Sequence, residues 1–257
     1  MPAAVALTLR FFQRDLRSRF AGSFSGGLWA LFQPLLQLAI TSFVFVYVFK
    51  ARVPGSMTLG YVPFLAIGLW PWTAFAEGVL RSTTVIQDNA ALIGKVALPR
   101  IALVIATLGT SFAIHMLGFV AIVLVMKAGG QPMHLAMLPL ALLLYIPLAA
   151  LALGFALLCS AVQVFVRDLV QALGQLLPLL MFGAPVYYDR AQLPQQFRGL
   201  LDWNPFTFYA ESFRALLLDY GTFSFRSLGV ALVVAALSLL IGYWTFRRLD
   251  PHFEDFL

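Results

Sequence analysis

The chain has 257 residues, of which 61% are hydrophobic and only 11% charged, with a mean hydropathy of +0.89 and a formal net charge of +6. A soluble domain carries about 25% charged residues, so this composition excludes a soluble globular domain and points to an all-α integral membrane protein. The basic residues lie between apolar runs, which fits positive-inside topology and anionic head groups rather than nucleic acid.

The first element, residues 4–21, repeats Val5, Leu9, Phe12, Leu16 and Phe20 at helical spacing, with Arg10, Arg14 and Arg17 on another face. This pattern predicts an amphipathic helix lying on the inner leaflet. Its arginines suit lipid phosphate or the anionic part of a substrate. Charges run throughout the segment, and no long apolar core marks it as a cleavable signal.

Apolar runs follow at 28–49, 61–82, 101–126, 135–166, 169–187 and 228–246. About 20 apolar residues cross a hydrocarbon core of about 30 Å, so these predict six spans. The run at 169–187 is short and contains Pro178, which predicts a broken or partly inserted segment. The run at 135–166 is too long for one crossing and holds Pro139 and Pro147, which predicts a kink. In the first span Gln33, Gln37 and Thr41 form a polar stripe, and Thr107, Ser111 and His115 form another in the third. Polar stripes serve either helix packing or a wet path; a histidine inside a span favours a bundle interior or cavity. Phe43, Phe45, Tyr47 and Phe49, then Tyr187 and Tyr188, suit an interfacial belt or the sliding of a polymer's C–H faces.

The connections carry the remaining signals. Residues 83–100, "TTVIQDNAALIGKVALPR", are too long for a turn and too polar at "QDN" for lipid. They predict either a surface loop or a docking helix for a cytoplasmic partner, with Leu92 and Ile93 as the apolar anchor. With the N-terminus inside, the inner segments hold Arg10, Arg14, Arg17, Arg19, Arg81, Lys95, Arg100, Arg167, Arg247 and Arg248, and the short outer loops only Lys50, Arg52 and Lys127. That asymmetry places both termini in the cytoplasm and residues 188–227 outside. There, "LDWNPFTFYAESFRALLLDYG" predicts a capped helix, with Asn204-Pro205 as its start, Gly221 as its stop and Glu211 and Arg214 facing each other or the exit.

No chemistry-bearing constellation is visible. Cys159 is the single cysteine and excludes an internal disulfide; the three histidines give no metal-ligand spacing. No Gly-x-x-x-x-Gly-Lys-Ser/Thr loop and no Ser/His/Asp arrangement is present, so the chain is not expected to hydrolyse ATP or act as an enzyme.

Three stretches resemble one family. "RDLRSRFAGSFSGGLWALFQPLLQLAITSFVFVYVF", "NAALIGKVALPR" and "RDLVQALGQLLPLLMFGAPVYY" with "LPQQFRGLLDWNPFTFYAESFRALLL" are similar, in order, to the permeases of ABC polysaccharide and polyol-phosphate exporters. Wzm-type O-antigen exporters are the nearest subgroup, with capsule and teichoic-acid permeases as relatives. One departure is "GSFSGGLW", where the family more often has a bulky apolar residue before Gly-Leu-Trp.

The resemblance implies a homodimer of six-span subunits in the bacterial inner membrane. Two copies of a Wzt-type cytoplasmic ATPase subunit would bind the ATP and Mg, with no cofactor in this chain. It implies that Gln87, Asp88, Asn89, Leu92, Ile93 and Lys95 couple to the ATPase, and that Gln33, Gln37, Thr41, Phe45, Tyr47 and His115 line a canal. Short re-entrant helices at 188–218 would gate its exit, with Tyr187, Tyr188, Trp203, Asn204, Pro205, Glu211 and Arg214. Arg10, Arg14 and Arg17 would meet head groups or the pyrophosphate of a lipid-linked substrate. A drug or lipid ABC exporter shares the six-span plan but lacks the Trp-Asn-Pro helix. A membrane-embedded glycan enzyme would need acidic or histidine side chains clustered at one interface, and here they are dispersed in sequence.

Overall fold

A computed structural model describes residues 2–20, 26–54, 59–93 and 99–256. Among these, regular structure is helical throughout. The helices are α1 (Pro2–Phe20), α2 (Gly26–Phe43, continued by a π-helical turn at Val44–Val48), α3 (Tyr61–Asp88), α4 (Ala90–Ile93), α5 (Ile101–Ala128), α6 (Leu138–Leu143), α7 (Tyr145–Gln163), α8 (Leu169–Phe182), α9 (Gln195–Leu201), α10 (Phe206–Leu218) and α11 (Phe225–Leu249).

Among the described residues, three helical stretches are long and apolar enough to cross a membrane: Ile101–Ala128, Leu135–Gln163 and Phe225–Asp255. Phe32–Val48 and Leu169–Phe182 are shorter apolar helices. Helix α3 has the length, but Pro63, Pro71, Glu77 and Arg81 dilute its hydropathy. The long run expected at 135–166 is interrupted at Leu144. Pro147 has no N–H to donate to the carbonyl of residue 143, which explains a break one turn before it. In α8, by contrast, Pro178 sits inside a continuous helix.

The core is built around α3, which packs on α5, α7, α10, α2 and α8. Phe64, Leu65, Ile67, Leu69 and Trp70, spread around its circumference, are fully or almost fully buried. The α7–α11 contact is the most extensive. It is a close backbone approach: a Cβ on Gly242 would lie 2.1 Å from the Gly154 carbonyl oxygen, so only glycine fits. Small residues at such crossings let helices associate through van der Waals contact where lipid supplies no hydrophobic drive. The rest of α11 is largely exposed along Val230, Val233, Leu237 and Ile241, as a lipid-facing helix would be.

Helix α1 does more than rest on a surface, which modifies the interfacial expectation. It packs along α5, with Phe11 buried and the Phe12 ring over Gly109. Val5 and Leu9 of the expected apolar stripe remain exposed.

Candidate functional site

Helices α1, α2, α3, α5 and α8 border an open cavity of about 500 Å³. Side chains four residues apart share one helix face. Four helices each bring such a pair here: Asp15 and Arg19 on α1, Gln33 and Gln37 on α2, Glu77 and Arg81 on α3, Ser111 and His115 on α5. Gln33, Gln37, Arg19, Glu77, Arg81 and His115 line the cavity, with Trp72, Leu177 and Pro178 among its apolar wall.

The charged groups are joined. Arg19 Nη2 donates to Glu77 Oε1 and, at 3.1 Å, to Ser111 Oγ. Arg81 Nη1 donates to the same hydroxyl at 3.2 Å, while its Nη2 reaches Asp15 Oδ1 at 3.0 Å and Oδ2 at 3.3 Å. Glu77 Oε2 lies 2.6 Å from His115 Nε2. Trp70 Nε1 fixes the α5 backbone here by donating to the His115 carbonyl at 2.9 Å. Glu77 and His115 sit near the middle of long helices. A charge at that depth in an otherwise apolar helix is costly and marks a site that uses it. The sequence reading named Gln33, Gln37 and His115 but missed Arg19, Glu77 and Arg81. The available signal was an acid and a base four apart, Glu77 and Arg81, inside an apolar run.

Other canal candidates lie elsewhere. Phe45 stacks on Tyr61 and Tyr187 with ring centroids 5.4 and 5.7 Å apart. Thr41 is half-buried outside the cavity, and Tyr47 is 72% exposed. Gln37 lies beside the Tyr187 hydroxyl, so the cavity and this aromatic group adjoin.

At the far end of α3, Gln87 Nε2 donates to the Gln163 carbonyl at 3.0 Å. Gln163 Oε1 in turn accepts from Val170 N at 2.9 Å, tying α3 to the α7–α8 turn. Asp88 is exposed and accepts from Thr84 Oγ1; Asn89 accepts from Arg14 Nη2 at 2.7 Å. Ile93 is buried in the chain's own core, so of the two expected anchors only the half-buried Leu92 offers surface. Lys95 lies outside the described residues. Arg10, Arg14 and Arg17 line a shallow surface groove on α1. Beside them Arg14, Asp15, Asp88 and Asn89 border a smaller polar cavity of about 200 Å³, which Thr107 also reaches.

The opposite end carries α9 and α10. Just before α10, Asn204 Oδ1 accepts from Phe206 N at 2.9 Å, and its Nδ2 donates to the Leu180 carbonyl at 2.8 Å. The stop comes before Gly221: Asp219 already takes the left-handed conformation at φ 52°. Burial, with the Asp189 carboxylate second, pushes the Tyr220 hydroxyl up to about 12. It therefore stays protonated and donates to the Pro54 carbonyl at 2.8 Å. The expected facing of Glu211 and Arg214 is corrected. Arg214 is 2% exposed, and its guanidinium donates to the carbonyls of Phe64, Pro185 and Val186 and lies 3.5 Å over the Phe64 ring. A buried guanidinium is tolerated when its nitrogens find acceptors, and here each of the three nitrogens donates to a carbonyl. Glu211 instead approaches Arg190 at 4.0 Å. Trp203 is 87% exposed, while Tyr187 is buried and Tyr188 half-buried.

A family model described as "ABC-2 type transporter" matches residues 7–218. The chain is 27% identical over 254 residues to an O-antigen export system permease protein RfbA of Myxococcus xanthus, covering 97% of this chain and 94% of that protein. It is 25% identical over 245 residues to an RfbA of Klebsiella pneumoniae, covering 95% and 92%. A polysialic acid transport protein KpsM of Escherichia coli is 24% identical over 239 residues, covering 93% and 92%.

Proposed function

The chain belongs to the ABC-2 type transporter family, and from that membership we propose that it is the permease subunit of an exporter that moves a lipid-linked polysaccharide, O-antigen in the first instance, across the bacterial inner membrane. The observation that carries this reading beyond the family is the cavity of about 500 Å³ in which charged and amide side chains share an apolar wall, beside the midpoints of α3 and α5. A packed structural bundle has no use for such a costly space.

In this reading α2, α3, α5, α7, α8 and α11 are the six spans, and both termini are cytoplasmic by the charge asymmetry of the connections. Two copies of the chain form the conduit. A separate Wzt-type ATPase supplies the work, meeting Asp88 at the exposed end of α3 and Leu92 of α4. Helices α9 and α10 stand at the outer exit. Export of a capsule polymer is the second reading, favoured by the likeness to a polysialic acid transport protein.

Deleting the gene in its host tests the proposal. Polymer should vanish from the cell surface and accumulate on its lipid carrier inside, and return with a plasmid copy. Unchanged surface polymer would refute it.

A further inference from the structure

In the Arg19 cluster both carboxylates are engaged. Both Glu77 oxygens are engaged, one by Arg19 and one by His115, and both Asp15 oxygens are held by Arg81. Two polar atoms are left over. Arg19 Nη1 and His115 Nδ1 are buried and have no hydrogen-bond partner among the described residues. Both residues line the cavity, and the His115 side chain is only 1% exposed, so a ligand reaches these two atoms by shifting the side chains that cover them.

The charges already cancel, since Arg19 and Arg81 face Glu77 and Asp15. The Glu77 carboxylate beside Nε2 can only accept, so a neutral imidazole carries its proton on Nε2 and has Nδ1 as an acceptor. The empty cluster therefore presents one free donor edge and one free acceptor, without net charge. A phosphate or carboxylate would use the donor, but it would meet the Nδ1 lone pair and bring an uncompensated charge into a low-dielectric space. A hydroxyl both donates and accepts, so two hydroxyls on one ring satisfy both atoms. Gln33 and Gln37 add amides that also do both, and Trp72 and Leu177 give an apolar wall for a ring's C–H face. The volume of about 500 Å³ lies within the range of about 300–1,000 Å³ usual for small-molecule sites.

We propose that this cavity is a binding subsite for one uncharged, hydroxyl-bearing sugar residue, with Arg19 Nη1 donating to one hydroxyl and His115 Nδ1 accepting from another. The proposal rests on the polysaccharide-export reading and adds which part of the polymer the protein touches: the ring hydroxyls, not the phosphate of the lipid carrier.

The test uses the permease–ATPase complex in nanodiscs with a cysteine at the cavity wall. Thr73→Cys is made in a Cys159→Ser background, and Gln33→Cys replaces it if Thr73→Cys does not assemble. The rate of labelling by a water-soluble maleimide is read with two probes: oligosaccharides cut by mild acid from the polymer the host exports, and inorganic pyrophosphate. At about four times the oligosaccharide's Kd, labelling should slow about fivefold by mass action. Pyrophosphate should not slow it. His115→Gln keeps a donor for Glu77 but no acceptor at the Nδ1 position, and should lose the protection. Protection by pyrophosphate alone, full protection in His115→Gln, or a cysteine that never reacts would each overturn the proposal. Failure of the export reading shows separately, as surface polymer that survives deletion of the gene.

Discussion

Glu77 Oε2 and His115 Nε2 lie 2.6 Å apart at the middle of α3 and α5, and the other Glu77 oxygen holds Arg19 of α1. One carboxylate thus joins the N-terminal helix to the two helices at the centre of the bundle.

Glu77→Gln should therefore loosen α1. The neutral amide leaves the Arg19 guanidinium without its counter-charge, and Arg19 is nearly buried. An unsatisfied buried donor costs about 1–3 kcal/mol, reduced here because Glu77 is one-third exposed. Melting of the purified protein should show this loss, and a protease site placed in α1 should become cleavable. Asp88→Asn, at an exposed position, should change stability by less than about 0.5 kcal/mol.

Arg214 and Gly68 should behave as one unit. A Cβ on Gly68 would lie 2.5 Å from Arg214 Nη2 and displace the guanidinium from its carbonyls. Gly68→Ala and Arg214→Met should each free the 183–188 turn, and the double variant should lose little more than either alone. A coupling of about 0.5–3 kcal/mol is the expected range for groups in contact. Additive losses would show that the two act separately.

Gly242→Ala should separate α7 from α11, because its methyl has no room against the Gly154 carbonyl. Folded protein should fall sharply on size-exclusion chromatography. Gly229→Ala, on the same helix with nothing within 4 Å of a Cβ, should be tolerated or gain up to about 1 kcal/mol from helix propensity.

Much of this architecture was legible in the sequence, and the exceptions have physical causes. Helices α5 and α11 appear close to their predicted limits because an uninterrupted apolar run and a stable helix coincide there. Helix α3 outlasts its apolar run and continues to Asp88, since polar residues such as Thr84 and Gln87 end hydropathy without ending a helix. Gln33, Gln37 and His115 were visible as polar interruptions of oil. Arg19 counted in the sequence only as one of the inner basic residues, because its partner Glu77 is distant in sequence and only packing brings them together. Arg214 was misread for the opposite reason. Glu211, three residues away, looked like its partner, whereas backbone carbonyls of other elements hold it.

Topology supplies another check. Reporter fusions after Ala90 and Arg248 should be cytoplasmic, and fusions after Gly129 and Gly199 external, from the distribution of lysine and arginine. A cytoplasmic signal at Gly199 would remove α9 and α10 from the outer exit.

Reconstitution tests the central claim most directly. The permease and its ATPase partner are placed in proteoliposomes with lipid-linked polymer, and the polymer crossing the membrane is measured by a glycosidase confined to the far side. The account predicts crossing that requires ATP and both subunits, and that fails with Glu77→Gln. Crossing without the permease, or none with the complete complex and ATP, would contradict it.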